Sequence, residues 1–166
     1  RQSYESDFRN SGVAGPNPST GTTNLLHDFD PSSNVDTFQR ITVPLNTFII
    51  IVFQWDEDAI SARGDNGGTG SASDVNIYAL KGPAFSNGNL IAGGSGVDDN
   101  IGGDPVEIIG FSLSGMPGGT TSVYIALTVK SGPLPKHLKY VCFEDGVTVN
   151  EFPTNSGTCT GHANAA

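Results

Sequence analysis

No window of eleven or more residues in this chain carries a helical apolar stripe free of glycine and proline, so a parallel α/β fold lacks its crossover helices. What the chain offers instead is a series of short apolar runs separated by Gly, Pro, Asn and Asp. They are NLLHDFD (24–30), VDTFQRITV (35–43), TFIIIVFQW (47–55), DVNIYAL (74–80), VEIIGFSL (106–113), SVYIALTV (122–129), HLKYVCF (137–143) and VTVNEF (147–152). Each is strand-length and rich in β-branched or aromatic residues. In SVYIALTV, Val123, Ile125, Leu127 and Val129 fall on one face and Tyr124, Ala126 and Thr128 on the other, the period of a half-buried strand. TFIIIVFQW is apolar on both faces, which predicts a central strand covered on both sides or one that crosses between sheets. About eight such strands predict an all-β, antiparallel β-sandwich with jelly-roll-like topology.

Composition agrees with one domain of turn-rich β structure. The chain has 166 residues, 22 of them glycine and 10 proline. With 17 acidic against 8 basic residues the formal net charge is −9, the wrong sign for nucleic acid or an anionic membrane surface. The longest apolar run, FIIIVF at 48–53, is far short of the roughly 20 residues of a membrane helix. These features predict a water-soluble monomer. No charged segment followed by an apolar one opens the chain, so an export signal would have been removed or would belong to a longer precursor. Cys142 and Cys159 allow one disulfide or two buried thiols, and both alternatives stay open. Asn17-Pro18-Ser19 is spoiled as a glycosylation site by its proline.

Residues 1–23 are polar and punctuated by Gly12, Gly15, Pro16, Pro18 and Gly21, which predicts an N-terminal arm or linker. The sandwich is expected over 24–153 and a C-terminal segment over 154–166. Two connections, 56–73 and 86–105, are longer than a sandwich needs and hold seven acids between them. Calcium takes six to eight oxygen ligands, and these loops supply Asp56, Glu57, Asp58, Asp65, Asp98, Asp99, Asn100, Asp104 and Glu107, with Asp74 opening the next strand. Asp56, Asp74, Asp98 and Asp104 are the expected ligands if the loops meet at one end. The alternative is that these acids are dispersed and solvated.

Other chemistry has weaker support. There is no G-x-S-x-G elbow and no HExxH, and His27, His137 and His162 are scattered. A triad assembled from His27, Asp30 and a serine has no spacing behind it. Trp55 with Tyr78 and Tyr124 could make a sugar-stacking platform, but Trp55 follows the most apolar run, where core packing is the simpler reading. Arg63-Gly64-Asp65 spells an integrin-binding tripeptide that a Gly/Asp-rich loop produces by chance.

Several strings together carry a resemblance: VDTFQRITVP (35–44), FQWD (53–56), SDVNIYAL (73–80), NIGGDPVE (100–107) and the terminal TNSGTCTGHANAA (154–166). Over about 140 residues the set resembles the β-sandwich segment inserted in some secreted bacterial subtilisin-like serine peptidases. The W-D followed by S-D-x-[DN]-[IL]-Y is similar to bacterial pre-peptidase C-terminal-type sandwich domains, which accompany secreted proteases. Asp74-Val75-Asn76-Ile77-Tyr78 matches their D-L-D-L-Y strand, with Asn76 in place of the second acid. The resemblance implies that RQSYE (1–5) follows an oxyanion-hole asparagine and that GHANAA (161–166) leads back into the catalytic fold. The subtilisin motifs D-[ST]-G, H-G-T and G-T-S-x-A do not occur here, so the catalytic residues would lie outside this chain.

The function expected on that basis is a non-catalytic accessory domain of a secreted subtilisin-like serine peptidase, modulating substrate access, binding or stability. Its partners would be the catalytic domain of the parent peptidase and a protein or peptide substrate, with calcium as the only cofactor expected. The alternative is a carbohydrate- or matrix-binding sandwich, stabilised by calcium.

Overall fold

A computed structural model of the chain describes residues 2–16, 24–62, 69–86 and 88–153. The order of strands is β1 (Gln2–Asp7), β2 (Asn10–Ala14), β3 (Leu25–His27), β4 (Gln39–Pro44), β5 (Phe48–Trp55), β6 (Asp74–Leu80), β7 (Leu90–Gly96), β8 (Val106–Ser112), β9 (Thr120–Ser131), β10 (His137–Cys142) and β11 (Thr148–Val149). One single-turn 3-10 helix, Ile60–Ala62, follows β5.

The strands form two antiparallel sheets, the all-β sandwich expected from the alternating pattern. The first has four strands in the order β1-β10-β5-β8. The second is built around the long strand β9, which pairs with β4 through Thr120–Ile125 and with β6 along Tyr124–Ser131. β3 joins β9 at Leu25 and Leu26, β2 pairs with β3, β7 with β6, and β11 with β4.

The inward faces follow from the period of two. Ile49, Ile51, Phe53 and Trp55 of β5, Ile109 and Phe111 of β8, and Leu138, Tyr140 and Cys142 of β10 meet Val123, Ile125, Leu127 and Val129 of β9 and Val75, Ile77 and Ala79 of β6 in one buried cluster. Tyr124, Ala126 and Thr128 point away from that core, as the sequence pattern requires. Outside the second sheet, Leu26, Leu80 and Ala126 form a smaller cluster covered by Phe38, Tyr78, Phe85 and Tyr124.

The structure corrects two expectations. Residues 2–14 are no arm: β1 is an edge strand of the four-stranded sheet and β2 an edge strand of the other. Tyr4 is fully buried and stacks on Tyr140 at 5.6 Å, so one ring fixes an otherwise polar strand. β5 is central in its sheet but stays in it and is covered on one side only. Its outward residues Phe48 and Ile50 are exposed, because nothing among the described residues lies over that face.

β7 and β8 close one side of the sandwich. They lie side by side although each takes its ladder from a different sheet. Gly93, at φ +76°, makes this approach possible, since a Cβ there would collide with the Gly110 carbonyl oxygen. We call this line the β7–β8 seam.

Candidate functional site

Among the four aspartates expected to bind calcium, two are used as acceptors for backbone amides. Asp56 Oδ1 accepts from the Lys136 and His137 amides at 2.9 and 2.8 Å and holds the start of β10 against the end of β5. Asp104 Oδ1 accepts from the Ser61 amide at 2.8 Å, and Ser61 hydrogen bonds hold its carboxyl below the usual range. Asp104 also borders a hollow of about 180 Å³ with Gln54, Trp55, Ser61 and Pro105, smaller than the roughly 300 Å³ at which ligand pockets begin. Asp74 opens β6 on the outward face of the second sheet, with Lys130 Nζ at 3.9 Å. Asp98 is exposed in the connection that follows β7. Among the described residues no three His, Cys, Asp or Glu side chains converge to hold a metal ion, so these four do not form one cluster.

Glu57, from the same loop, has a structural task. Its Oε2 accepts from Trp55 Nε1, Ser71 Oγ and the Ala72 and Ser73 amides, and its Oε1 from Ser73 Oγ. Burial pushes the carboxyl up, but these hydrogen bonds outweigh it and hold the group below its ordinary value. Trp55 is thereby locked in the core at 3% exposure, which withdraws it from a sugar platform. Tyr78 remains half-buried against Phe85 on the outside of the second sheet, with its rings at 5.2 Å.

The histidines that are described do not form a nucleophile-activating set. Nδ1 of His27 accepts from the Arg9 amide at 3.1 Å, so Nε2 carries the proton and donates to Tyr4 Oη at 2.8 Å. Burial, with the nearby Arg9 guanidinium, lowers its pKa to about 3. Asp30 accepts instead from the Ser32 amide at 2.8 Å. His137 lies on the surface between Asp7, at 3.0 Å, and Glu5, at 3.2 Å. His162, Cys159, Arg63-Gly64-Asp65 and 154–166 lie outside the described residues. Cys142 carries a free thiol in the core, pushed up to about 12 by burial.

Two features remain that local structure does not use up. The first is the outward face of the four-stranded sheet. Phe48 is 59% and Ile108 63% exposed, with Ile50 and Phe143 also exposed and Val52 and Val141 half-buried. Val52 lies opposite both Ile108 of β8 and Val141 of β10, while Phe143 donates its amide to the Ile50 carbonyl, so these side chains are neighbours. Phe48 covers the outer side of Gly110, where an added Cβ would stand 2.8 Å from the ring. Toward β1 the face becomes charged through Glu5 and Lys139, 3.3 Å apart, and Asp7 and His137.

The second is at the β7–β8 seam. Glu107 is in phase with Ile109 and Phe111 and so faces inward, 4% exposed. Its Oε2 stands 2.6 Å from where a Cβ of Gly96 would be, and its Oε1 is buried without a hydrogen-bond partner. Burial first, then the charges of Asp98 and Asp74, push its pKa to about 7, against a smaller opposing effect of the Asp98 amide. Among the described residues the other buried side-chain oxygens without partners are Asp74 Oδ1, Asn76 Oδ1 and Asn100 Oδ1. Burial raises the Asp74 carboxyl too, with Lys130 opposing and Asp99 adding to the rise.

Comparison with family models, with curated proteins and with solved structures returns no match.

Proposed function

We propose that this chain is a non-catalytic accessory domain of a secreted bacterial subtilisin-like serine peptidase, seated against the body of that enzyme through the outward face of its four-stranded sheet. The observation that carries the reading is the group Phe48, Ile50, Val52, Ile108, Val141 and Phe143, an apolar area on one face of a sandwich whose other face covers its own apolar residues. Such areas on otherwise polar domains mark interaction surfaces. An apolar centre bordered by Glu5, Lys139, Asp7 and His137 fits the anatomy of a protein–protein interface. A sugar would find few polar groups at its centre, and an anionic lipid surface would meet a chain of net charge −9. Under the sequence resemblance the chain arrives through β1, which belongs to this same sheet. A rigid sandwich seated beside a cleft restricts which substrates reach it, through the loops at its ends.

Deletion of 2–153, the whole sandwich with its strands β1 and β2, from the parent peptidase tests the reading. The deletion is expected to change cleavage of folded protein relative to cleavage of a short chromogenic peptide. An unchanged ratio overturns the gating role. Labelling of a serine in the isolated chain by a fluorophosphonate overturns the non-catalytic one.

A further inference from the structure

We propose that His137 is a pH-sensitive clasp on the edge strand β1, closed on two carboxylates when its imidazole is protonated and half open when the ring is neutral. The clasp does not rest on the accessory-domain reading.

The strand it holds has little else to fix it. β1 takes its ladder from β10 alone and places one side chain, Tyr4, in the core. On the outward face its residues Glu5 and Asp7 stand directly opposite Lys139 and His137 of β10. Asp7 Oδ1 lies 3.0 Å from His137 Nδ1, and Glu5 Oε1 lies 3.2 Å from Nε2, so one strand grips the ring at both nitrogens. The other oxygen of Glu5 takes the Lys139 ammonium at 3.3 Å. On the side of β5, Asp56 donates its amide to the His137 carbonyl and accepts the His137 amide at 2.8 Å on its carboxylate. The charged groups around the ring are thus Glu5, Asp7 and Asp56, with Lys139 on the same strand and Lys136 just before it.

The switch follows from the inventory of protons. An ionised carboxylate only accepts, and a neutral imidazole carries a single N–H. Both contacts are hydrogen bonds at the same time only in the imidazolium. In the neutral ring one nitrogen turns a lone pair toward a carboxylate, and that contact with β1 is lost. Histidine changes its charge between about pH 5 and 8, so this is the range in which the clasp works. Because the carboxylates hold the proton-bound ring, the hold on β1 is complete at the acidic end and weakens as pH rises. Opening bares the edge of β10, so the clasp also guards that edge against pairing with another strand.

The experiment is amide hydrogen exchange of the chain at pH 5.5 and pH 8.0, corrected for the intrinsic rate at each pH. Local opening of β1 is read in residues 3–7, and global unfolding in the central strand β9. The protection of residues 3–7 is expected to fall about two- to fivefold from pH 5.5 to pH 8.0, the range for one exposed charged contact. The fall is expected to disappear in His137→Gln and to shrink in Asp7→Asn, which alters a side chain 85% exposed and so leaves folding intact. Nitrogen-15 NMR of the unaltered chain is expected to show both ring nitrogens of His137 protonated at pH 5.5. Equal protection of β1 at the two pH values, a fall that persists unchanged in His137→Gln, or a ring with a single N–H at pH 5.5 overturns the proposal. None of these results bears on the gating assay.

Discussion

Replacing Glu107 by glutamine keeps the shape of the side chain and removes a charge that the core does not compensate. In the folded chain, burial and the charge of Asp98 push the carboxyl up to about 7, against an ordinary value of 4.5. At about 1.36 kcal/mol per unit the difference amounts to about 3 kcal/mol, and solvent reaching the site past Asp98 reduces it to about 2 kcal/mol. The sign is fixed by linkage. Below about pH 4.5 both states hold the proton and the group contributes nothing. Between about 4.5 and 7 the unfolded chain releases its proton first, so stability falls as pH rises, and above about 7 the loss is complete. Glu107→Gln is thus expected to match the unaltered chain at pH 4.5 and to exceed it by about 2 kcal/mol at pH 8. For a domain of this size that is about 4–8 °C in melting temperature. Circular dichroism melts in EDTA across that range measure it. A difference that does not change with pH, or a variant less stable at pH 8, refutes the reasoning.

Other changes probe the remaining parts of the fold. His27 is expected to stay neutral, protonated on Nε2, from pH 8 down to pH 4, and nitrogen-15 NMR of the ring would refute this by showing protonation near pH 6. Tyr4→Phe removes the acceptor for that Nε2–H and should cost about 1–3 kcal/mol in urea unfolding, the penalty for a buried donor left without a partner. Iodoacetamide at pH 8 is expected to leave Cys142 unmodified in the native chain and to alkylate it after unfolding, as peptide mass mapping would show. Gly93→Ala should destabilise by about 2 kcal/mol or more, since the position combines a left-handed backbone with a collision at the Gly110 carbonyl; an unchanged denaturation midpoint would contradict the close approach at the seam.

Where a strand buries a whole row of side chains, the sequence pattern was enough to find it. The eight expected runs all contain strands, and the face assignment of β9 agrees residue by residue. β1, β2 and β7 were invisible for a common reason: each leaves little trace in apolar periodicity. β1 buries one ring, Tyr4, among polar neighbours, and β2 lies largely at the surface. β7 puts Ile91 in the core but spends Gly93, Gly94 and Gly96 on approach to its neighbours, so it reads as a glycine loop. The two-faced character of β5 was legible, but its meaning was not, because a sequence cannot say whether the second apolar face is covered by its own chain.

The acidic loops show the same limit in chemical form. An aspartate that accepts backbone amides and one that ligates a cation have the same sequence signature, and in this structure Asp56 and Asp104 each accept backbone amides. The better signal was one of phase. In Val106-Glu107-Ile108-Ile109-Gly110-Phe111 the acid occupies the same face as Ile109 and Phe111, which are buried, so a sandwich reading already places a carboxylate in the core. A charge at an inward position has to be matched locally, and the nearest chain, running from Gly96 to Asp98, brings more negative charge. At the seam that mismatch is relieved by protonation of Glu107, whereas the apolar face of the four-stranded sheet lies outside the core and, under the proposed accessory role, is covered by another surface. One is therefore read in melting temperature against pH, the other in the substrate preference of the proposed parent enzyme, and each can fail without the other.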